Sequence, residues 1–576
     1  MLPQKDFGSF RCFLGGETVV DVDEVATMAR PQRWSTPFGA GMTDEDVVTL
    51  LKRSDIAAIE ADNFPKHTPL SGVFRNDTRI VKFRSGDIVV REGDYGNSAF
   101  LVMEGSLRVV IAPELPQTLL GRQAARKKGF FEALTQLWTN SHVPEVREIS
   151  QYKSQGLRGG GDSANARVFL QDVPAVMDEH RTAKLENGAL FGELAALGRV
   201  PRTATVFAEE DATLLEIRWQ GLRELRKYDE GWRRMIDQRY RENALKAHLQ
   251  ESEMFSRLDE KSLQAVADKV LFETYGSFDW NIAFQRQRQN GAGKEPVIAR
   301  QGEYPDGVLM IRAGFARVSI KHGNGERTLT YLGAGSHFGL GELYAAWKDP
   351  DIQEMALHTS LSALGYVDVL RVPASVLEEY VFPFMEPPTS TTMDLAVTPV
   401  ADDALMEWAV EERFVNATRA MVIDLDRCVR CDDCVRACAS THGGNPRFRR
   451  HGRTFDSLMV ANACMHCADP VCMIGCPTGA IHRSVEHGNV IINDLTCIGC
   501  ATCANSCPYN NISMVAIRNP DGHAVTDPDS GKPILKATKC DFCEGQPGGP
   551  ACVRACPHDA LKRVHFRELN SAEAEQ

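Results

Sequence analysis

The chain has 576 residues, 43% hydrophobic and 25% charged, which suits three or four globular domains. A net charge of -12 argues against general nucleic-acid binding, and no apolar run reaches the about 18 residues that cross a bilayer. The start lacks a basic segment followed by a long apolar core, so no secretory signal is read; 16 of the 17 cysteines lie beyond residue 427, which excludes a small disulfide-stapled fold and points to the cytoplasm.

In chain order, Thr43 is placed to N-cap a helix over "TDEDVVTLLKRSDIAAIEAD", giving a helical extension across 1–63 without chemistry of its own. From Arg79 to Ile111 apolar and polar residues alternate and are broken by Gly-Asp and Glu-Gly turns, a train of short antiparallel strands. The plan returns at Glu295 to Ile320, and "YLGAGSHFGLGEL" echoes "LENGALFGEL". A repeat this long is a duplicated domain and not a solenoid, with copy one over 64–250 and copy two over 251–383. Gly221 to Val270, between the repeats, is charged and helical. Copy one carries an insertion over 113–175 with the basic "GRQAARKKG" and the loose "SQGLRGGGDSANAR", an exposed loop or a docking arm. A Pro/Thr-rich linker covers 384–413, and the cysteine region covers 414–576.

Within copy one, "FGELAALGRVPRTATV" (Phe191 to Val206) has the parts that clasp a phosphate and a ribose. Gly192 lets backbone N–H groups of Gly192, Glu193 and Leu194 approach an anion at a short helix start, and Glu193 can accept from a ribose 2′-hydroxyl. Arg202 supplies a planar cation for two phosphate oxygens, with Thr203 beside it to touch phosphate or purine. The region from Val81 to Arg218 resembles the cyclic-nucleotide-binding domain family, through its Phe-Gly-Glu-Leu opening and Pro-Arg-x-Ala-Thr-Val closing. That resemblance implies an eight-stranded roll closed by helices, Glu193 as ribose ligand and Arg202 as phosphate ligand, with cAMP and cGMP not separated. Copy two keeps Glu342 in "GLGEL" but shows "LHTSLSALGYVDVL" where Arg202 would fall. His358 is its nearest equivalent there, and an imidazole titrating near 6.5 is a poor substitute for a permanent charge, so a degenerate site is expected.

The cysteines form four runs: Cys428, Cys431, Cys434 and Cys438; Cys464, Cys467, Cys472 and Cys476; Cys497, Cys500, Cys503 and Cys507; Cys540, Cys543, Cys552 and Cys556. Three thiolates from a tightly wound C-x2-C-x2-C loop can hold three corners of a [4Fe–4S] cube, and a fourth from C-x3-C-P serves the other cluster of a pair. All-thiolate zinc also uses CxxC pairs, but four quartets ending in C-x3-C, three followed by Pro, do not fit it.

The region from Arg419 to Arg567 resembles the four-cluster ferredoxin-like subunits of molybdopterin oxidoreductases and related hydrogenases, nearest the dimethyl sulfoxide reductase type, by these runs and by the longer spacers in the second and fourth. The resemblance implies that runs one and four pair, as do runs two and three. One cluster then takes Cys428, Cys431, Cys434 and Cys556, and another Cys540, Cys543, Cys552 and Cys438. A third takes Cys464, Cys467, Cys472 and Cys507, and the fourth Cys497, Cys500, Cys503 and Cys476. Ala439 departs from the usual Pro without removing a ligand, and no three-iron cluster is expected. His466 is read as an exposed or packed histidine, and "RFRRHGR" (Arg447 to Arg453) as a solvated loop, a docking patch or compensation for anionic clusters.

The expected fold class is multidomain α+β: two β-roll (jelly-roll) cyclic-nucleotide-binding domains and a duplicated ferredoxin-like iron–sulfur domain. No catalytic site is read in the chain. The expected function is electron transfer through four [4Fe–4S] clusters to or from a redox partner, modulated by cyclic nucleotide. That partner is a molybdopterin or hydrogenase catalytic subunit, or a membrane-anchored subunit; nucleic acid is not expected. The alternatives are a scaffold with vestigial nucleotide domains and a redox- and nucleotide-sensing regulator.

Overall fold

Period-two alternation in each repeat lets a strand bury one face, and two such sheets closed on each other make a roll. In the computed structural model, which describes residues 42–112, 169–198, 201–285, 295–349, 355–388 and 403–565 apart from short gaps, with residues 115 and 145, both repeats do this.

Copy one contains β1 (Thr78–Phe83), β2 (Ile88–Val90), β3 (Ser98–Glu104), β4 (Leu107–Ala112), β5 (Arg181–Leu185), β6 (Leu190–Phe191), β7 (Val206–Ala208) and β8 (Ala212–Arg218). They form two sheets, β1-β8-β3-β6 and β2-β7-β4-β5. Copy two has β9 (Leu271–Tyr275), β10 (Val297–Ala299), β11 (Gly307–Ala313), β12 (Ala316–His322), β13 (Gly325–Leu332), β14 (His337–Phe338), β15 (Ser360–Ala363) and β16 (Val367–Pro373). Its sheets, β9-β16-β11-β14 and β10-β15-β12-β13, repeat the same order strand for strand. Each roll has its own buried apolar filling, such as Phe100, Val102 and Leu214 in copy one and Ile311, Val318 and Leu361 in copy two.

Helices lead in and connect. Thr43 makes a capping box with Asp46 at the start of α1 (Asp44–Leu51). The single lead-in helix expected from Thr43 to Asp62 stops at Leu51, because Arg53 is extended and its guanidinium reaches the Met103 carbonyl and Asn187 of copy one. Next comes α2 (Leu70–Asp77), whose Asp77 is fully buried and pairs with Arg218 at 2.6 Å. A short α3 (Glu193–Gly198) opens the phosphate box, and α4 (Trp219–Tyr228), α5 (Glu230–Asn243), α6 (Leu245–Glu251) and α7 (Glu260–Lys269) carry the chain to copy two. There α8 (Leu340–Lys348) and α9 (Ala374–Tyr380) follow.

Residues 389–402 of the expected linker lie outside the described residues, as does most of the insertion. The remainder of the linker is not loose: α10 (Asp403–Glu411) packs on copy two, burying Val410 against Phe315 and Leu364. The cysteine region contains a four-stranded sheet, β18-β19-β17-β24, and two hairpin pairs, β20-β21 and β22-β23. Their ranges are β17 (Ala420–Asp424), β18 (Arg449–Phe455), β19 (Leu458–Asn462), β20 (Ile481–Arg483), β21 (Val490–Ile492), β22 (Ser513–Ala516), β23 (Leu535–Thr538) and β24 (Leu561–Val564). Pairing of β17 with β24 joins the first run to the last, which lie at opposite ends of this region. The basic stretch read as a loop is largely strand β18, and its charges are answered within the chain: Arg447 by Glu145 of the insertion at 3.0 Å, Arg450 by Asp432 at 2.7 Å.

Candidate functional site

The phosphate box is built by two elements meeting. Gly192 takes φ +76°, a left-handed turn open to glycine, and directly after it α3 begins with Glu193. Arg202 sits just before β7, where its N–H donates to the Asp94 carbonyl (2.7 Å) and its own carbonyl accepts from Gly93 (2.8 Å). Its side chain is buried and donates to the Gly192 carbonyl and the Ser98 carbonyl, each at 2.7 Å. Phe100, stacked on Phe191 at 5.3 Å, lies beneath the guanidinium. Glu193 is buried, and burial pushes its carboxyl up to about 7 against the pull of its own backbone N–H and of Arg202 and Arg239. Thr203 is exposed beside Arg202, whereas the Leu194 side chain leans on the apolar cluster around Tyr240 and Leu245, leaving only its backbone to the box.

Backbone pairing aligns copy two with copy one and corrects one expectation. Gly302 donates to the Leu357 carbonyl and Leu357 donates to the Glu303 carbonyl, both at 2.8 Å, the same reciprocal pair that Gly93, Arg202 and Asp94 make. Leu357, not His358, therefore occupies the place of Arg202, and His358 stands opposite Thr203. The left-handed glycine is Gly339 (φ +84°), so Leu340 follows it where Glu193 follows Gly192, and Glu342 comes two residues later, fully buried. Copy two thus has apolar residues at the places of both Arg202 and Glu193.

The cysteines gather into four groups, each drawn from two runs. Cys428, Cys431, Cys434 and Cys556 line one cavity. Cys476, Cys497, Cys500 and Cys503 line another. Cys438 is pushed up to about 12 chiefly by burial, with the Arg447 N–H working against this and nearby Cys540, Cys552 and Cys543 adding to it. Burial likewise raises Cys472 well above the ordinary thiol range, and Cys507, Cys464 and Cys467 add to that rise.

Neighbouring groups lie close enough to influence one another. Cys434 of the first feels Cys552 of the second, and Cys472 of the third feels Cys503 of the fourth. Between the second and third lie two cations, Lys539 buried and Arg563 partly buried. Arg563 donates to the Cys540 sulfur at 2.9 Å, and Lys539 donates to the Cys540 carbonyl at 3.0 Å. Burial works against the Lys539 charge, but Cys464, Cys540 and Cys472 together hold its ammonium above the usual range. His466 is packed here, accepting from the Val490 N–H at Nδ1 (3.1 Å), and burial keeps it neutral.

These residues fit an iron–sulfur cluster. All sixteen cysteines among the described residues are free, and crowded buried thiols ionise together only when a cationic centre joins them. Backbone N–H groups already point at the sulfurs: Arg447 to Cys438 (3.2 Å), Asn511 to Cys507 (3.4 Å) and Ala560 to Cys556 (3.3 Å). Each run also has a left-handed residue directly before its second cysteine: Arg430, His466, Gly499 and Phe542, with φ between +47° and +70°. Three of the four are not glycine, a conformation that L-residues adopt only under constraint; it winds each loop back on itself. Neither the winding nor the placement of Arg563 and Lys539 was recognised from sequence; the lysine directly before Cys540 was the available signal.

Fold and site together define an iron–sulfur electron-transport protein joined to cyclic-nucleotide-binding domains. The family described as 4Fe-4S dicluster domain matches residues 455–520, a second of that description matches 496–565, and the cyclic nucleotide-binding domain matches 175–229 and 293–382. The chain is 33% identical over 173 residues to the electron transport protein HydN of Escherichia coli (strain K12), covering 27% of this chain and 94% of that protein. It is 30% identical over 184 residues to the arsenate respiratory reductase iron-sulfur subunit ArrB of Shewanella sp. (strain ANA-3), covering 24% and 78%. Hydrogenase-4 component A of Escherichia coli (strain K12) is 32% identical over 162 residues, covering 24% and 78%. Through its cysteine region the chain belongs to this family of multi-cluster electron-transport proteins. Among solved structures, the regulatory domain of Toxoplasma gondii PKA with cAMP is matched at 15% identity over 59% of this chain and 93% of that one, with a TM-score of 0.20. Among the described residues no helix is long and apolar enough to cross a membrane.

Proposed function

We propose that this chain passes electrons through four [4Fe–4S] clusters to or from a partner oxidoreductase in the cytoplasm, and that cyclic nucleotide bound to copy one modulates the transfer. The observation that carries the first part is the gathering of sixteen thiols into four quartets, each shared between two runs. Cys428, Cys431, Cys434 and Cys556 would hold one cluster, and Cys438, Cys540, Cys543 and Cys552 the next. Cys464, Cys467, Cys472 and Cys507 would hold the third, and Cys476, Cys497, Cys500 and Cys503 the last. When bound, the clusters supply one-electron redox centres. The chain's own part is to hold them in sequence, exclude water from the inner quartets and supply the partly buried Arg563 and the buried Lys539 as positive charge, which favours the more negative, reduced state.

At the outer end, the quartet containing the exposed Cys431 opens to solvent beside the exposed Val429. That opening suits a protein partner, and the relatives named for hydrogenase and arsenate reductase support a catalytic subunit of that kind. For the nucleotide, Arg202 supplies the phosphate cation, Glu193 the ribose acceptor, Gly192 and Leu194 backbone donors, and Thr203 the contact at the exposed side. Copy two serves as a packing partner. The test is iron content and electron paramagnetic resonance of the anaerobically prepared full chain, with calorimetric titration by cAMP and cGMP. Sixteen irons per chain and binding at one site are expected; zinc, or far fewer irons, would sink the electron-transfer reading.

A further inference from the structure

The loop Gly93–Asn97, between β2 and β3, touches the phosphate box with one face and the iron–sulfur region with the other. On the first face, Gly93 and Asp94 make the reciprocal backbone pair with Arg202. Gly96 lies so close that a Cβ there would come within 2.6 Å of the Arg202 guanidinium carbon. On the second face, the Tyr95 N–H donates to the Val485 carbonyl at 2.9 Å, and the Asn97 amide donates to the Arg483 carbonyl at 3.4 Å. The Tyr95 ring covers Gly488 so tightly that a Cβ at Gly488 would sit 2.3 Å from it, and the Arg483 guanidinium lies 5.9 Å from the ring centre.

Arg483 then reaches inward. It is 5% exposed, donates through Nη1 to the Gly488 carbonyl, and through Nη2 to the carbonyls of Cys467 and Ala468, all at 2.8 Å. The loop and Arg483 thus form a continuous set of contacts from Arg202 to the backbone of Cys467. The phosphate-box helix has a second tie: Ala196 of α3 lies in the same buried apolar cluster as Met473, Cys476 and Ile481.

We infer that the loop Gly93–Asn97 and the positioning residue Arg483 couple nucleotide occupancy of copy one to the redox state of the quartet that contains Cys467. The inference rests on the reading of copy one as a nucleotide site. An anion competing with the Gly192 and Ser98 carbonyls for Arg202 acts on the loop that grips the 483–488 turn. Added negative charge near Cys467 acts on the same turn from the other side, through the carbonyls that Arg483 holds. Such coupling is reciprocal, so reduction must change nucleotide affinity by the factor by which nucleotide changes the reduction equilibrium.

The experiment uses the full chain with its clusters assembled anaerobically, titrated calorimetrically with cAMP and with cGMP, once oxidised and once reduced by dithionite. For the native chain, the two states should differ in Kd by about fivefold or more. Tyr95→Ala should still bind nucleotide while losing that difference. Arg483→Lys, which keeps the charge but cannot span three carbonyls, should do the same and serves where Tyr95→Ala loses iron. Equal Kd in both states overturns the inference and leaves nucleotide binding standing. No heat in either state removes the nucleotide reading and the inference with it. A redox dependence that survives both substitutions overturns this route.

Discussion

Copies one and two share every strand pairing of the roll, yet one pair of positions separates them. Arg202 and Leu357 make identical backbone hydrogen bonds, and both are buried, but one brings a fixed charge to the box and the other an isobutyl group. Glu193 and Leu340 repeat the contrast directly after the left-handed glycine. The roll is held by its alternating apolar strands, so it survives without the groups that would hold a ligand.

Exchanging these residues tests the contrast most severely. Leu357→Arg should destabilise copy two by about 3–5 kcal/mol, since the new charge would be buried with Leu340, not a carboxylate, at the place of Glu193. Thermal unfolding should show the loss, and no nucleotide binding should appear. The reverse change, Arg202→Leu, should weaken nucleotide binding by about 100-fold, roughly 2.7 kcal/mol, as charge-assisted hydrogen bonds to phosphate disappear. Iron content should be retained, and calorimetry would read both quantities.

A smaller effect follows from Glu193. Its carboxyl titrates near 7, above its unfolded range, so the folded chain favours the protonated form, and the resulting stabilisation fades as pH rises through 7. A 2′-hydroxyl donates to the ionised form, so nucleotide affinity should instead rise across that window, by about tenfold from pH 6 to pH 8. Glu193→Gln should flatten the profile. Copy two, with Leu340 at this place, should contribute no such dependence. Least affected should be Thr203→Ala, which removes one exposed hydroxyl and should cost about two- to fivefold, unequally for cAMP and cGMP.

Local patterns were the legible part. The four cysteine runs, the Phe-Gly-Glu-Leu opening and the strand alternation each lie within a short segment, where spacing alone constrains what the backbone can present. His358 was misplaced because copy two lacks the Pro-Arg pair that marks the register in copy one; only the Gly302–Leu357 hydrogen bonds set it. The tail of the linker gave no sign of packing in the sequence, because one face of α10 becomes meaningful only against Phe315 and Leu364. Likewise the basic stretch from Arg447 to Arg453 looked solvated until Glu145, some 300 positions earlier, came to rest on Arg447.

Sequence by itself determined that this chain has two rolls, a Phe-Gly-Glu-Leu and Pro-Arg cassette in the first, and sixteen thiols in four runs, because those features are written at spacings of a few residues. Tertiary structure alone decided that this cassette and the cysteine region touch. Tyr95, Arg483 and Cys467 belong to separate stretches of chain, and no periodicity relates residues that meet only when whole domains pack.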